Sequence, residues 1–556
     1  MSDFLENIFA QLERSADRVV LREVRGDQFV SVTGRELLDQ VQQFRGFLRD
    51  SGLQSGDRCG LLTANSIAWA IFDLALMAEG LIVVPLYSRQ APVEICAMLR
   101  DCQARLLLVG DQASGEAIAQ AWTGDSASLP KCVVGSDILS AGPTNVSTPA
   151  APNARSSGHI ITIVYTSGTS GEPKGVCLSV ENVSHMLSCT TERLNQLMGG
   201  ATEPDRVFHY LPFNFAGSWI LLLSCLTRES TLTLSTDLNR LVDEIALAAP
   251  NYFLNVPTLL ERVRRGVYEN LAKRPAAIRA VFERAVAAWE RQYMGHGKFS
   301  DRVWVSIGQA LIFGKIKERF GPHLRALICG SAPLAPETQR FFLMLGIPVL
   351  QVYGLTETTG ICTMDDPGAP GEPGYVGPAI SGIEMRAAKN EEIVVRGPNV
   401  FPGYWNRPQE TERVLIDGWF HTGDQGEVNQ RGNWRIIGRI KNLIILNSGH
   451  NVPPEPIEDK IAQHLPGVQQ VVLVGNGRGY LCVLLTGPID AALVQPALDA
   501  VNADLPHYRQ IRRFTLLPDA FSVDGGLLTA LGKLRRTPIN TRFATEIDAM
   551  YAAKNT

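Results

Sequence analysis

Ile160-Ile-Thr-Ile-Val-Tyr165 is an apolar, β-branched run that empties into Thr166-Ser-Gly-Thr-Ser-Gly-Glu-Pro-Lys174-Gly175. The first part reads as a buried strand. The second is chemically suited to a polyphosphate. Gly168, Gly171 and Gly175 let backbone N–H groups converge on an anion, the hydroxyls of Thr166, Ser167, Thr169 and Ser170 add donors, and Lys174 supplies a positive charge. It is not a Walker A loop, because Pro173 stands where a glycine would precede the lysine and Gly175 follows it. On composition alone the stretch reads first as a flexible Ser/Gly turn, since such loops are common.

Outward from this word the chain keeps an α/β rhythm. Thr33-Gly-Arg-Glu36 is a capping box, and Leu37, Val41, Phe44 and Leu48 recur behind it at helical spacing. Short apolar runs at Arg58–Leu62, Leu81–Tyr87 and Arg105–Gly110 alternate with helix-length segments, the pattern of a largely parallel sheet layered with helices. Residues 139–158 are rich in Ser, Pro, Ala and Gly and read as a surface connection, and 270–317 as a helical insertion. From about Gly438 short strands (471–474, 480–485) precede a final helix at 540–553, which reads as a small α+β domain.

A chain of 556 residues, 45% hydrophobic and 19% charged, is expected to be globular with more than one domain. Its net charge of −4 provides no general footprint for nucleic acid. The ten cysteines lack C-x-x-C or zinc-like spacing and read as small buried hydrophobes in a reducing compartment. The apolar run 71–87 is interrupted by Asp73 and Glu79, so it reads as a buried helix plus strand rather than a membrane span. With no basic segment leading into an apolar core at the N-terminus, the expected location is the cytoplasm.

The whole word YTSGTSGEPKGV (165–176) resembles the signature of the adenylate-forming superfamily, which includes acyl-CoA synthetases, peptide-synthetase adenylation domains and firefly luciferase. Further family words follow in order: Leu211-Pro-Phe-Asn-Phe215, Gly330-Ser-Ala-Pro-Leu334, Tyr353-Gly-Leu-Thr-Glu-Thr358, Gly418-Trp-Phe-His-Thr-Gly-Asp424, Gly438-Arg-Ile-Lys441 and Gly532-Lys-Leu-Arg535. The resemblance covers nearly the whole chain. It implies an α/β fold with a large N-terminal domain (1–440) that binds ATP and acyl substrate, and a small mobile α+β C-terminal domain (441–556) that carries the catalytic lysine.

The same resemblance implies roles. Thr166 to Gly171 with Lys174 hold the phosphates, and Thr166 is also placed among the catalytic residues. Gly330, Ser331 and Ala332 with Tyr353 and Gly354 flank adenine, and their expected position just past strand C-termini is where open α/β sheets bind ligands. Thr356 and Glu357 reach the phosphates and a Mg²⁺, a hard cation that commonly takes one or two carboxylates beside phosphate oxygens. Asp424, in a turn-forming context, holds the ribose hydroxyls, and Arg439 contacts the nucleotide; alone, the Thr-Gly-Asp triplet also fits an Asx turn. Lys441 occupies the hinge, and Gly449 in Ser448-Gly-His-Asn451 lets a pantetheine arm pass.

The implied chemistry starts from the inertness of a carboxylate toward a thiol at neutral pH, since its leaving group would be oxide. Attack of the carboxylate on the α-phosphorus of ATP gives a mixed anhydride, and Lys533 is the cation implied at that centre. No acid occurs in Leu211–Trp219 to hold an α-ammonium group, so the substrate is read as a carboxylic acid without an α-amine; Phe213, Phe215 and Trp219 would line an apolar acyl pocket, although core packing is their ordinary role. The span 256–337 with its insertion, and Asn451-Val-Pro-Pro-Glu-Pro-Ile-Glu458, look like the long-chain fatty acyl-CoA synthetase branch, from which Phe215, His450 and Gly532 depart. ATP, Mg²⁺ and coenzyme A are therefore the expected ligands. A ligase that loads the phosphopantetheine of an acyl carrier protein, and a non-catalytic relative that keeps the fold, stand as alternatives, and peripheral membrane contact through an apolar substrate entrance is left open.

Overall fold

The computed structural model describes residues 3–123, 125, 128–140, 151–167, 173–200, 203–369, 371–523, 525–529 and 532–552, the side chain of Ser167 apart. The chain divides into two compact units, one of Met1–Glu384, Val395–Phe420 and Gln430–Trp434, the other of Met385–Val394, His421–Asn429 and Arg435–Thr556.

The first unit carries two large sheets. In the seven-stranded sheet the order is Gly403–Tyr404, Pro173–Ser179, Ile160–Ser167, Ile82–Pro85, Arg58–Leu62, Leu106–Val109 and Lys131–Val134, parallel from Ile160–Ser167 to the last strand. The eight-stranded sheet is parallel through six strands, Val349–Tyr353, Ala326–Cys329, Tyr252–Asn255, Asp205–His209, Ser230–Leu234 and Val19–Arg25, and antiparallel at both edges. Parallel strands need crossovers, and helices supply them. Ile67–Ala78 and Ala216–Thr227 are buried on nearly every side and share one core cluster with strands of both sheets. An all-round apolar helix has no face to give water, which is why these two lie innermost. The Thr33–Glu36 capping box forms as read, with the Glu36 carboxylate accepting from Thr33 N at 2.8 Å.

Residues 71–87 form the expected helix and strand, and among the described residues no helix is long and apolar enough to cross a membrane. All ten cysteines are free thiols; nine are buried, but Cys132 is exposed, a departure explained by its place on the edge strand Lys131–Val134. The connection at 139–158 is only partly a surface segment. Residues 141–150 lie outside the described residues, and the Arg155 side chain, 2% exposed, grips Asp3 at 2.7 Å and donates to Met77 O at 2.8 Å. The insertion is helical as read, with Ala276–Tyr293, Phe299–Gly308 and a widened turn at Gln309–Phe313 leading into Gly314–Glu318.

In the second unit Leu481–Thr486 pairs antiparallel with Gln470–Val474 and parallel with Ile511–Leu517, and the helices Glu455–His464 and Ala491–Ala503 pack apolar residues into one cluster with these strands. The final helix is broken in two, Arg536–Arg542 and Ala544–Ala552, because Phe543 leaves helical geometry and sets its ring 5.7 Å from Phe521 in a second small core.

Candidate active site

Ile160–Ser167 and Pro173–Ser179 pair antiparallel with Thr166 opposite Lys174, so the two ends of the phosphate-type word lie side by side on adjacent strands. Gly168, Thr169, Ser170 and Gly171 lie outside the described residues. Lys174 pairs with Glu410 and sits 5.4 Å from the centre of the Tyr404 ring. Gly175 is required by crowding: a Cβ there would come within 2.6 Å of Ile163 and 3.3 Å of Trp405.

On the other sheet, Ala326–Cys329 and Val349–Tyr353 are adjacent parallel strands, and Gly330-Ser331-Ala332 and Gly354 follow directly on their C-terminal ends. A Cβ on Gly330 would lie 2.5 Å from the Val352 side chain, and one on Gly354 2.4 Å from the Gly360 carbonyl. Ser331 holds φ +72°, a left-handed backbone at an exposed position, and such local strain collects where chain geometry serves a site. Tyr353 is half-buried at the strand end. Thr356–Thr358 make a single helical turn in which the Glu357 carbonyl accepts from Phe401 N at 2.9 Å and its carboxylate from Tyr404 Oη at 2.9 Å. Tyr404 thus lies beside both Glu357 and Lys174, a role for which the sequence offered no signal.

Among the described residues no group of three His, Cys, Asp or Glu side chains could cage a metal. Glu357 is a single, half-buried carboxylate, the kind of ligand set that fits a Mg²⁺ carried largely by phosphate oxygens.

Phe213 is wedged between Trp69 (ring centroids 4.9 Å) and His209 (5.1 Å, interplanar angle 8°), 1% exposed, and Trp219 is also buried. The Trp219 indole donates to Asp73 at 2.8 Å; burial pushes the Asp73 carboxyl up to about 7, the indole bond opposing, and burial pulls the His209 imidazole down to about 4. Phe213 and Trp219 therefore pack in the central core, while Phe215, which precedes the helix Ala216–Thr227, is half-buried.

The second unit gathers another set. The turn-forming context before Asp424 lies inside the strand Trp419–Val428, where Gly423 takes φ +69°, its N–H donates to Glu392 at 3.0 Å, and Asp424 N donates to Thr422 Oγ1 at 3.1 Å. Asp424 is 4% exposed and its carboxylate accepts from Arg439 Nε at 2.6 Å. Lys533 lies close enough to feel both. Although the residue has exposed surface, protein packed around its ammonium and the cations Arg439 and Lys441 hold its pKa below the lysine range, with Asp424 opposing. Lys441 is exposed in the one-turn helix Ile440–Asn442. Gly449 has φ +82° with open space where a Cβ would project, and the His450 ring next to it stacks on Tyr508 at 4.2 Å.

Residues 8–405 match the family described as AMP-binding enzyme, and 441–555 match the AMP-binding enzyme C-terminal domain. The long-chain-fatty-acid–CoA ligase FadD15 of Mycobacterium bovis is 27% identical over 588 residues, covering 98% of this chain and 96% of the relative. A putative fatty-acid–CoA ligase of Mycobacterium tuberculosis, fadD11, is 30% identical over 432 residues, 71% of this chain and 74% of the relative. Among solved structures, ATP-bound MatB from Rhodopseudomonas palustris superposes with a TM-score of 0.74 at 23% identity, covering 97% of this chain and 99% of that one, which speaks to the fold.

Proposed function

Since the chain belongs to the AMP-binding enzyme family, the adenylate-forming superfamily with long-chain fatty-acid–CoA ligases among its homologues, we propose that it activates a fatty acid with ATP and passes the acyl group to coenzyme A. The observation that carries this reading is near full-length similarity to a long-chain-fatty-acid–CoA ligase, combined with the meeting of Gly330, Tyr353 and Glu357 at neighbouring strand ends.

In the first half-reaction a carboxylate oxygen of the acid forms a bond to the α-phosphorus of ATP while the bond to pyrophosphate breaks, giving acyl-AMP. Two anions must approach, so the chain contributes mainly positive charge and position. Lys174, Thr166 and the residues Ser167 to Gly171 take the phosphates. Gly330 to Ala332, Tyr353 and Gly354 take the adenine, because they lie at or just past the C-terminal ends of adjacent parallel strands, where open α/β sheets bind ligands. Thr356 adds a hydroxyl, and Glu357 would hold Mg²⁺, which supplies charge neutralisation on the triphosphate. Asp424 accepts the ribose hydroxyls, with Arg439 orienting its carboxylate. Lys533 is the charge placed on the reacting carboxylate and α-phosphate oxygens. It belongs to a C-terminal domain (441–556) that turns about Lys441 between half-reactions, the main body being 1–440. In the second half-reaction the thiolate of coenzyme A, its pantetheine passing Gly449, attacks the acyl carbon and AMP leaves.

A panel of acids of increasing chain length, assayed for pyrophosphate release with ATP and Mg²⁺, tests the substrate class. Release that peaks with long apolar acids supports it; release only with short or amino acids refutes it.

A further inference from the structure

The helical insertion has a charge unlike the rest of the chain. Residues 270–317 hold 9 Lys and Arg against 3 Asp and Glu, a net +6 in a chain whose total is −4, so everything else sums to −10. The basic charge comes with unburied apolar groups at one end. The helices Ala276–Tyr293 and Phe299–Gly308 form a hairpin whose tip presents Tyr293, Met294 and Phe299 at 44%, 59% and 82% exposure. Phe299 and Val303 then stand one turn apart on a face continued by exposed Ser306 and Ala310.

The tip is held rather than frayed. Asp301 is buried at the start of the second helix, where it accepts from Lys298 N at 2.8 Å and from Arg291 at 2.6 Å, tying the end of one helix to the beginning of the next. Of the two acids beside the tip, Asp301 is paired with Arg291 and Glu290 is exposed, so the cations Lys298 and Arg302 outnumber the one open carboxylate. Isolated surface apolar residues are ordinary, but an aromatic, a methionine and a tyrosine on a fixed tip between lysine and arginine are the combination that an anionic lipid interface takes: apolar groups enter the acyl boundary while the cations meet the headgroups.

We propose that the tip of this hairpin, centred on Met294, Lys298, Phe299 and Arg302, docks the protein on an anionic lipid surface. The contact needs neither acid nor nucleotide, so it stands or falls independently of the acyl-activation reading.

The full chain would be sedimented with vesicles of phosphatidylcholine alone and of phosphatidylcholine with about one-third phosphatidylglycerol, at low and high salt. The expected result is salt-sensitive binding to the anionic vesicles only. Lys298→Glu with Arg302→Glu, and separately Met294→Ser with Phe299→Ser, should each weaken it on the order of tenfold. Val93→Ser, which removes an apolar residue 64% exposed elsewhere, should leave it intact. Absence of binding, equal binding to both vesicle types, or binding untouched by the two double variants would overturn the proposal. So would lipid-independent self-association abolished by the Phe299 variant, which would give the tip to a second copy of the chain.

Discussion

Arg536 lies three residues past Lys533, and its guanidinium makes two hydrogen bonds to Glu458, 2.8 and 2.6 Å long, and approaches Glu455 at 3.6 Å. Glu458 also accepts from Leu473 N at 2.7 Å, and Glu455 accepts from Asn442 at 2.7 Å, so one network joins the segment after Lys533, a helix, a strand and the turn that contains Lys441. Arg536→Met keeps most of the side-chain volume and removes the charge. The Glu458 side chain is 9% exposed and would be left with a single donor, and stripping one partner from a buried pair costs about 3–5 kcal/mol. The penalty should depend on pH. Burial already raises the Glu458 pKa, with Arg536 opposing, and without Arg536 the folded state binds a proton still more readily than the unfolded state. Stability lost in the variant should therefore be largest at high pH and recover as the pH falls through the raised folded pKa. All eight tryptophans lie outside this unit, so their fluorescence would miss the effect. Amide hydrogen exchange across 455–486 should accelerate by roughly two to four decades at neutral pH, matching that loss. A change below about 1 kcal/mol, or one equally large at acid and alkaline pH, would show that the pair does not hold the unit together.

Three further outcomes follow from the proposed chemistry. Lys533→Ala should abolish acyl-AMP formation while sparing thioester formation from supplied acyl-AMP, measured as separate half-reactions; equal loss of both would refute its role. Glu410→Gln removes the anion that competes with a triphosphate for Lys174, and because the pair is partly exposed the KM for ATP should fall only about two- to fivefold, a rise counting against the competition. Gly354→Ala drives a methyl into the Gly360 and Ile361 backbone, and should destabilise the first unit by about 1–3 kcal/mol and weaken ATP binding, measured by thermal unfolding and by calorimetry.

What could be seen in the sequence was what is local. The Thr33–Glu36 box, the helix and strand within 71–87 and the strand ends before Gly330 and Gly354 are set by neighbours a few residues apart, and each stands where periodicity put it. What was hidden depends on distant partners. Trp219 meets a carboxylate 146 residues away, Arg155 is fixed by Asp3 across 152, and Arg536 finds Glu458 across 78, pairings that no local pattern encodes. The Thr-Gly-Asp context keeps its local turn bond, Asp424 N to Thr422 Oγ1, but what the sequence did not show is that it sits inside a paired strand that absorbs the left-handed Gly423. Helical spacing ran through 540–553, yet the Phe543 ring is worth more in the core beside Phe521 than an unbroken helix is. Of the candidate site, the words themselves were legible. The placing of Tyr404 between Glu357 and Lys174 was not, since its partners lie far away in sequence.

The most direct test of the central claim is exchange of labelled pyrophosphate into ATP with a long-chain fatty acid and Mg²⁺ and no coenzyme A. Reversible adenylate formation predicts acid-dependent exchange, with thioester and AMP appearing only after coenzyme A is added. Formation of ADP and orthophosphate, or no exchange in the presence of any acid that supports thioester synthesis, would contradict it.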